Sequence, residues 1–237
     1  MAAVMPVFGA DATPFLAQIA VAVPQAVAAV SGSLTHAGQR DESLLLKTVL
    51  TEALGGPVVR PWRVLGVRDG TATILGYSPH DAAALRERLG FATPALQQAV
   101  SVVATAPLPT LSAGQRLRFS VRLVPTVRQT GKGEIDAMLY AVRQAPEQAH
   151  DRSEIYTQYL TKRLLGATVE AVQLAGARLL PMLRRTATGW AQRTFPVADM
   201  SGVLTVEDPG QLTQTLINGI GRQRGYGFGL VRLEAAH

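Results

Sequence analysis

The residues with the clearest chemical character lie near the end of the chain. Asn218–Leu230 reads NGIGRQRGYGFGL, with Gly219, Gly221, Gly225, Gly227 and Gly229 crowded around Arg222, Arg224 and Tyr226. Glycine lets a backbone approach a ligand closely, and N–H groups beside two guanidiniums suit a sugar-phosphate chain. The segment is read as following a helix and leading into a strand. A dinucleotide-binding G-x-G-x-x-G needs strand then helix, so that the pyrophosphate meets the helix N-terminus. That reading fails, and no G-K-[ST] supports a Walker loop. A loop that merely caps a helix is the plainer alternative.

More arginines gather upstream. Arg116, Arg118 and Arg122 alternate with apolar residues, which puts them on one face of a strand whose end carries Arg128. Arg178, Arg184 and Arg185 lie in or beside AGARLLPMLRRT (Ala175–Thr186), with Trp190 and Arg193 beyond. Clustered arginines suit phosphates, and Tyr226 or Phe228 would stack on a base. The plainer readings are a solvated strand face for Arg118 and an ordinary loop for Arg184-Arg185. His36, His80, His150 and His237 are scattered without ligand spacing, and His80 is read as a helix N-cap. No metal and no small-molecule cofactor is expected.

The 237 residues fit one large domain or two small ones. The absence of cysteine excludes disulfide scaffolds, thiolate zinc sites, iron–sulfur clusters and cysteine nucleophiles. The formal charge is +6, and it is uneven. Residues 1–110 hold 7 basic and 7 acidic residues, whereas 111–237 hold 16 and 10. An arginine-rich half points to a polyanion, nucleic acid first; a basic protein without such a partner is the alternative. The longest apolar stretch, FLAQIAVAVPQAVAAV, is interrupted by Gln18, Pro24 and Gln25, and no basic segment precedes it. Neither a membrane span nor a secretory signal is read, so a cytoplasmic location is expected.

These residues need elements to position them. Phe15–Val23 reads as a strand, Val30–Arg40 as a polar loop and Asp41–Leu54 as a helix capped by Asp41. Arg60–Val67 and Thr71–Tyr77 flank Asp69-Gly70, a hairpin signal. A short helix at Asp81–Leu89 and a strand at Val100–Ala106 complete β-α-β-β-α-β, the ferredoxin-like order. Pro107–Gly114 is the boundary, placing domains at 1–108 and 114–237. The second half reads as a strand over Arg116–Val127, a turn at Gln129–Gly133, a helix at Asp151–Leu165 and extended segments within Val169–Leu183. A loop at Ala187–Arg193, a strand at Gly202–Val206, a helix at Asp208–Asn218 and a strand at Phe228–Leu233 follow. The class is therefore α+β: two tandem ferredoxin-like, RRM-like βαββαβ domains, the second with a C-terminal glycine-rich loop.

The stretch GVLTVEDPGQLTQTLINGIGRQRGYGFGLVRL (Gly202–Leu233) resembles the C-terminal signature of the CRISPR-associated endoribonucleases that cut repeat RNA, particularly the CasE type. Val206-Glu207-Asp208-Pro209 and Gly219–Leu230 match it, and RLVPTVR (Arg122–Arg128) is similar to the family's R-x-x-P-x-x-R strand end. The resemblance covers roughly the last half of the chain and also extends to divergent type IV relatives. It implies binding of the repeat stem-loop in a basic cleft and metal-independent cleavage of precursor crRNA. In that reaction a 2′-hydroxyl attacks the neighbouring phosphate, leaving a 2′,3′-cyclic phosphate. It further implies that the protein keeps the mature crRNA as a subunit of an effector ribonucleoprotein in antiviral defence, type I-E or type IV.

In the CasE type a tyrosine and a histidine lie at the start of the first helix. The corresponding DESLLLKTVLTEAL (Asp41–Leu54) has neither, and Lys47 falls about where the histidine is expected. The resemblance therefore implies His36, Arg40 and Lys47 as catalytic candidates. Two arrangements stay open: His36 serves as the base, or Lys47 and Arg40 only orient the phosphate and stabilise the transition state, which implies slow, single-turnover cutting because an arginine cannot be a base near neutral pH. The RNA-binding candidates are Arg116, Arg118, Arg122, Arg128, Arg178, Arg184, Arg185, Arg193, Gly219, Gly221, Arg222, Arg224, Gly225, Tyr226 and Gly227. Two alternatives stay open. One is a non-catalytic crRNA-binding subunit of the same fold. The other is a small-molecule enzyme, which would need paired acids; Glu134 and Asp136 are the only close pair in a loop-like setting.

Overall fold

Strand β1, Phe15–Ala22, buries Ala17, Ile19 and Val21 completely, the period-2 face that its sequence alternates. It ends one residue earlier than expected because Pro24 opens helix α1, Val23–Ala29. In the computed structural model, which describes residues 14–129, 133–186 and 189–236, the chain divides into two units. The first comprises Met1–Pro109 with Met182–Ala191 and Gly225–Gly227; the second comprises Thr110–Pro181, Gln192–Arg224 and Phe228–His237.

In the first unit, the expected loop at Val30–Arg40 holds a turn of helix instead. Thr35 caps α2, His36–Arg40, by accepting from the Gly38 amide. Gly38 is buried against Leu34 and Leu44, which fixes that turn. Helix α3, Glu42–Ala53, starts at Asp41, whose side chain accepts from the Leu44 amide. Leu44, Leu45, Leu46, Val49, Leu50 and Ala53 make its buried face. Strands β2, Trp62–Arg68, and β3, Thr71–Ser78, join through Asp69-Gly70, both at positive φ, as the Asp-Gly signal requires. Helix α4, Ala82–Gly90, is capped by Asp81 and not by His80, because it is the Asp81 side-chain oxygen that accepts the Ala84 amide. A further helix, α5, Pro94–Ala99, precedes β4, Val100–Pro107.

In the second unit the expected strand Arg116–Val127 is divided. β5, Arg116–Leu123, stops before Pro125, which has no N–H to give a ladder, and β6, Thr126–Gln129, pairs with β7, Gly133–Asp136. The expected turn between them falls partly outside the described residues. Helix α6, Ala137–Gln144, is an addition to the elements expected from sequence. Asp136 caps it, and the same carboxylate accepts from Tyr156 in α7, Arg152–Thr161. Strands β8, Ala167–Thr186, and β9, Gly189–Val206, are far longer than expected and take in most of the supposed loop at 187–193; residues 187 and 188 lie outside the described residues. Asp208 caps α8, Pro209–Asn218, and β10, Val231–Ala235, closes the chain. The terminal His237 lies outside the described residues.

The sheet orders are β2-β3-β1-β4 and β10-β5-β9-β8. In both, the first strand is central, with the fourth on one side and the third, then the second, on the other. Strand β1 pairs antiparallel with β3 and β4, and β5 pairs antiparallel with β9 and β10. Two ferredoxin-like sheets in one chain follow from this order. Among the described residues no helix is long and apolar enough to cross a membrane.

Candidate functional site

In the first unit, α3 holds Lys47 half-buried about one turn beyond its capped start. Its Nζ donates to the Tyr226 hydroxyl at 3.1 Å and stands 4.5 Å from the ring centroid. The Arg184 guanidinium lies over the same ring at 3.7 Å. Tyr226 is therefore gripped by two cations, one at its oxygen and one on its π-face.

Arg184 is only 7% exposed. It is 3.8 Å from the Asp41 carboxylate and donates to the Leu183 carbonyl at 2.6 Å. Burial lowers its pKa, and the neighbouring Tyr226 and Asp41 oppose that shift. Asp41 does three things at once: one oxygen caps α3, while the other accepts from the Leu183 amide at 2.5 Å and faces Arg184. In sequence, Asp41 is legible only as a cap.

The other first-unit candidates are looser. His36 opens α2 and Arg40 closes it, both exposed; a four-residue spacing puts them on one helix face. Gly225 and Gly227 complete this part of the loop. Gly227, at φ +89°, leaves no room for a Cβ, which would lie 2.8 Å from the buried Trp62 ring. A Cβ on Gly225 would lie 4.0 Å from Nε of Arg60, a residue outside the candidates drawn from sequence. Arg60 is half-buried, and burial lowers its pKa. Only tertiary structure reveals it, since nothing distinguishes this arginine along the chain.

The second-unit arginines divide into those held by protein partners and those free of ion pairs. Arg122 and Arg178 both bind Asp199, at 2.6 and 2.9 Å. Burial works against the ionised Asp199, yet the hydrogen bonds from Arg122 and Arg178 hold its pKa below the ordinary value. Arg116 binds Glu170 at 2.7 Å, and Thr205 donates to the same carboxylate; these two bonds, Thr205 first, lower the Glu170 pKa. In the glycine-rich loop Arg222 pairs with Glu134 at 3.1 Å, and Arg224 donates to the Asn218 carbonyl at 2.6 Å, capping α8. The Gly219 amide is likewise spent on the carbonyls of Thr215 and Leu216. Gly221, at φ +73°, packs beside the Tyr159 hydroxyl. Arg118, Arg128 and Arg193 are exposed and have no ion pair among the described residues, and the same holds for Arg185 of the first unit. No group of three or more metal-ligating side chains occurs among the described residues.

A family model described as CRISPR associated protein matches residues 44–234. No curated protein matches the chain by sequence. Among solved structures, CRISPR endoribonuclease Cse3 bound to a 19-nucleotide RNA is similar, with a TM-score of 0.66 at 18% identity, covering 94% of this chain and 100% of that one. Cse3 of Thermus thermophilus bound to an RNA representing a pre-cleavage complex has a TM-score of 0.60 at 18% identity, covering 92% and 98%. A chain of a CRISPR RNA-guided surveillance complex has a TM-score of 0.58 at 15% identity, covering 94% and 100%. The ferredoxin-like fold expected from the sequence is shared with these structures.

Proposed function

Because the chain belongs to the CRISPR-associated protein family, we propose that it binds the stem-loop of CRISPR repeat RNA, cuts the precursor without a metal and retains the mature crRNA as an effector-complex subunit. The observation that carries this reading is the Lys47–Tyr226 hydrogen bond beneath Arg184. The similar structures named for Cse3 with RNA and for a surveillance complex support the substrate and the assembly.

Cleavage forms a bond from the 2′-oxygen to phosphorus and breaks the bond to the 5′-oxygen. The attacking hydroxyl loses a proton, the leaving oxygen gains one, and the phosphorane carries extra negative charge between. His36 takes the first proton, as an imidazole can near neutral pH. The Tyr226 oxygen accepts from the Lys47 ammonium, so its own O–H points elsewhere and serves as the donor to the leaving oxygen. Lys47 stabilises the phenolate that results, and Arg40 steadies the phosphate. Arg118, Arg128, Arg185 and Arg193 bind the RNA backbone as exposed cations. Arg116, Arg122, Arg178, Arg222 and Arg224 bind it only by sharing or exchanging the partners they already hold.

A second reading, a non-catalytic crRNA-binding subunit, is favoured by α3 itself, which contains neither histidine nor tyrosine. Cleavage and binding of a repeat stem-loop by the unaltered protein, His36→Ala and Lys47→Ala decide between them. The first reading expects binding by all three and a large loss of cutting in both His36→Ala and Lys47→Ala. Binding without cutting by the unaltered protein selects the second.

A further inference from the structure

Three cations of the first unit meet the turn at Gly225–Tyr226: Lys47 at the tyrosine oxygen, Arg184 over its ring, and Arg60 beside Gly225. Among the described residues one carboxylate answers them. Asp41 faces Arg184 and is already bonded to the amides of Leu44 and Leu183. The cluster therefore keeps an excess of positive charge in a partly desolvated place.

Arg60 is the unanswered member. It is half-buried and has no carboxylate partner among the described residues. Its backbone is fixed, since its amide donates to the Tyr77 carbonyl at 2.8 Å and the Tyr77 amide donates to the Pro61 carbonyl at 3.0 Å. The next residues, Pro61 and Trp62, are buried, and Trp62 packs against Gly227. A guanidinium partly removed from water without a counter-ion is costly. Its planar fork matches two oxygens of a phosphate. Gly225 carries no Cβ on the side facing Arg60, so an oxygen can approach there alongside the backbone.

We infer that Arg60 is a phosphate-binding residue, taking the non-bridging oxygens of one RNA phosphodiester beside the Gly225–Tyr226 turn. The inference rests on the ribonucleic-acid reading above for the identity of the anion, but not for the site. Arg60 holds the phosphate while Lys47 and Tyr226 act on its ester oxygen.

Three proteins, each the whole chain, test this: unaltered, Arg60→Gln and Arg60→Lys. Two probes are used, inorganic phosphate against chloride at matched ionic strength, read by melting temperature, and a repeat stem-loop RNA, read by affinity across salt and by single-turnover cutting. Phosphate should raise the melting temperature of the unaltered protein and not that of Arg60→Gln. Arg60→Gln should flatten the salt slope of RNA binding by about 0.7–0.9, one phosphate contact, and slow cutting about 10-fold or more. Arg60→Lys should keep the slope and lose rate, because it keeps the charge but not the fork; it carries the test if Arg60→Gln does not fold. A folded Arg60→Gln with unchanged slope and rate overturns the inference and leaves the ribonuclease reading standing, as does full activity in Arg60→Lys where Arg60→Gln fails to fold. A phosphate effect lost in Arg60→Gln, with no RNA bound by the unaltered protein, upholds the anion site and removes the ribonuclease reading. No phosphate effect and no RNA binding overturn both.

Discussion

Lys47 and Tyr226 are 179 residues apart in the chain and 3.1 Å apart at their polar atoms. The ammonium donates and the phenol accepts, which leaves the tyrosine proton directed away from the lysine. Tyr226→Phe keeps the ring that Arg184 covers and removes only the hydroxyl. Single-turnover cutting of repeat RNA should fall about 100-fold, within the range of general acid catalysis, while RNA affinity changes little. Equal losses of affinity and rate would make Tyr226 a binding residue only.

Asp41 joins a helix cap to a buried guanidinium. Removing it exposes two costs, a lost cap of about 1 kcal/mol and an uncompensated Arg184, about 3 kcal/mol or more for a buried pair broken from one side. Asp41→Ala should therefore lower the melting temperature substantially. Asp41→Asn, which keeps a capping oxygen, should cost less, and Asp41→Ala combined with Arg184→Met should recover part of the loss. Denaturation of the three proteins checks the order.

Acid should weaken the second unit through Asp199. Its folded pKa is depressed, despite partial burial, by bonds from Arg122 and Arg178. The stabilisation it gives is present above the unfolded value of about 3.9 and is lost as pH falls through the lower folded value. Melting curves from about pH 6 down to about pH 2 should show this loss in the unaltered protein and a shallower acid dependence in Asp199→Asn. Identical pH profiles would mean that the two arginines do not depend on the charge.

Backbone approach gives a separate prediction. A Cβ on Gly202 would collide with the Ala171 carbonyl oxygen in the neighbouring strand and with the Phe119 ring. Gly202→Ala should destabilise by about 2 kcal/mol or more, whereas Gly176→Ala, with open space around it, should be nearly neutral. Thermal melts of the pair are the check.

The features legible in the sequence are the local ones. Asp41 before a leucine-rich run, Asp69-Gly70 between apolar strands, and Asp208-Pro209 opening a helix each carry their structural reason within a few residues. The glycine-rich loop is equally visible, because glycines crowded at every second to fourth position state a backbone requirement. The long strands β8 and β9 are not legible, since Ala187–Arg193 reads locally as a loop and strand length depends on partner strands remote in sequence. Helix α6 is short, and its cap, Asp136, reads in sequence as half of an acidic pair with Glu134. Charge partners are the least accessible. Arg122 and Asp199 lie 77 residues apart, and nothing along the chain marks Arg222 as the partner of Glu134 or Arg224 as the cap of a helix end. Arg60 becomes visible only when the fold sets Gly225 beside it.

The most direct test of the central claim is cleavage of a repeat stem-loop RNA by the purified protein in EDTA, with either the natural 2′-hydroxyl or a 2′-deoxy sugar at the cut site. The proposed chemistry predicts EDTA-resistant cutting of the natural RNA, a 2′,3′-cyclic phosphate end, and no cutting of the deoxy substrate. Cutting that stops in EDTA, or that persists on the deoxy sugar, would contradict it.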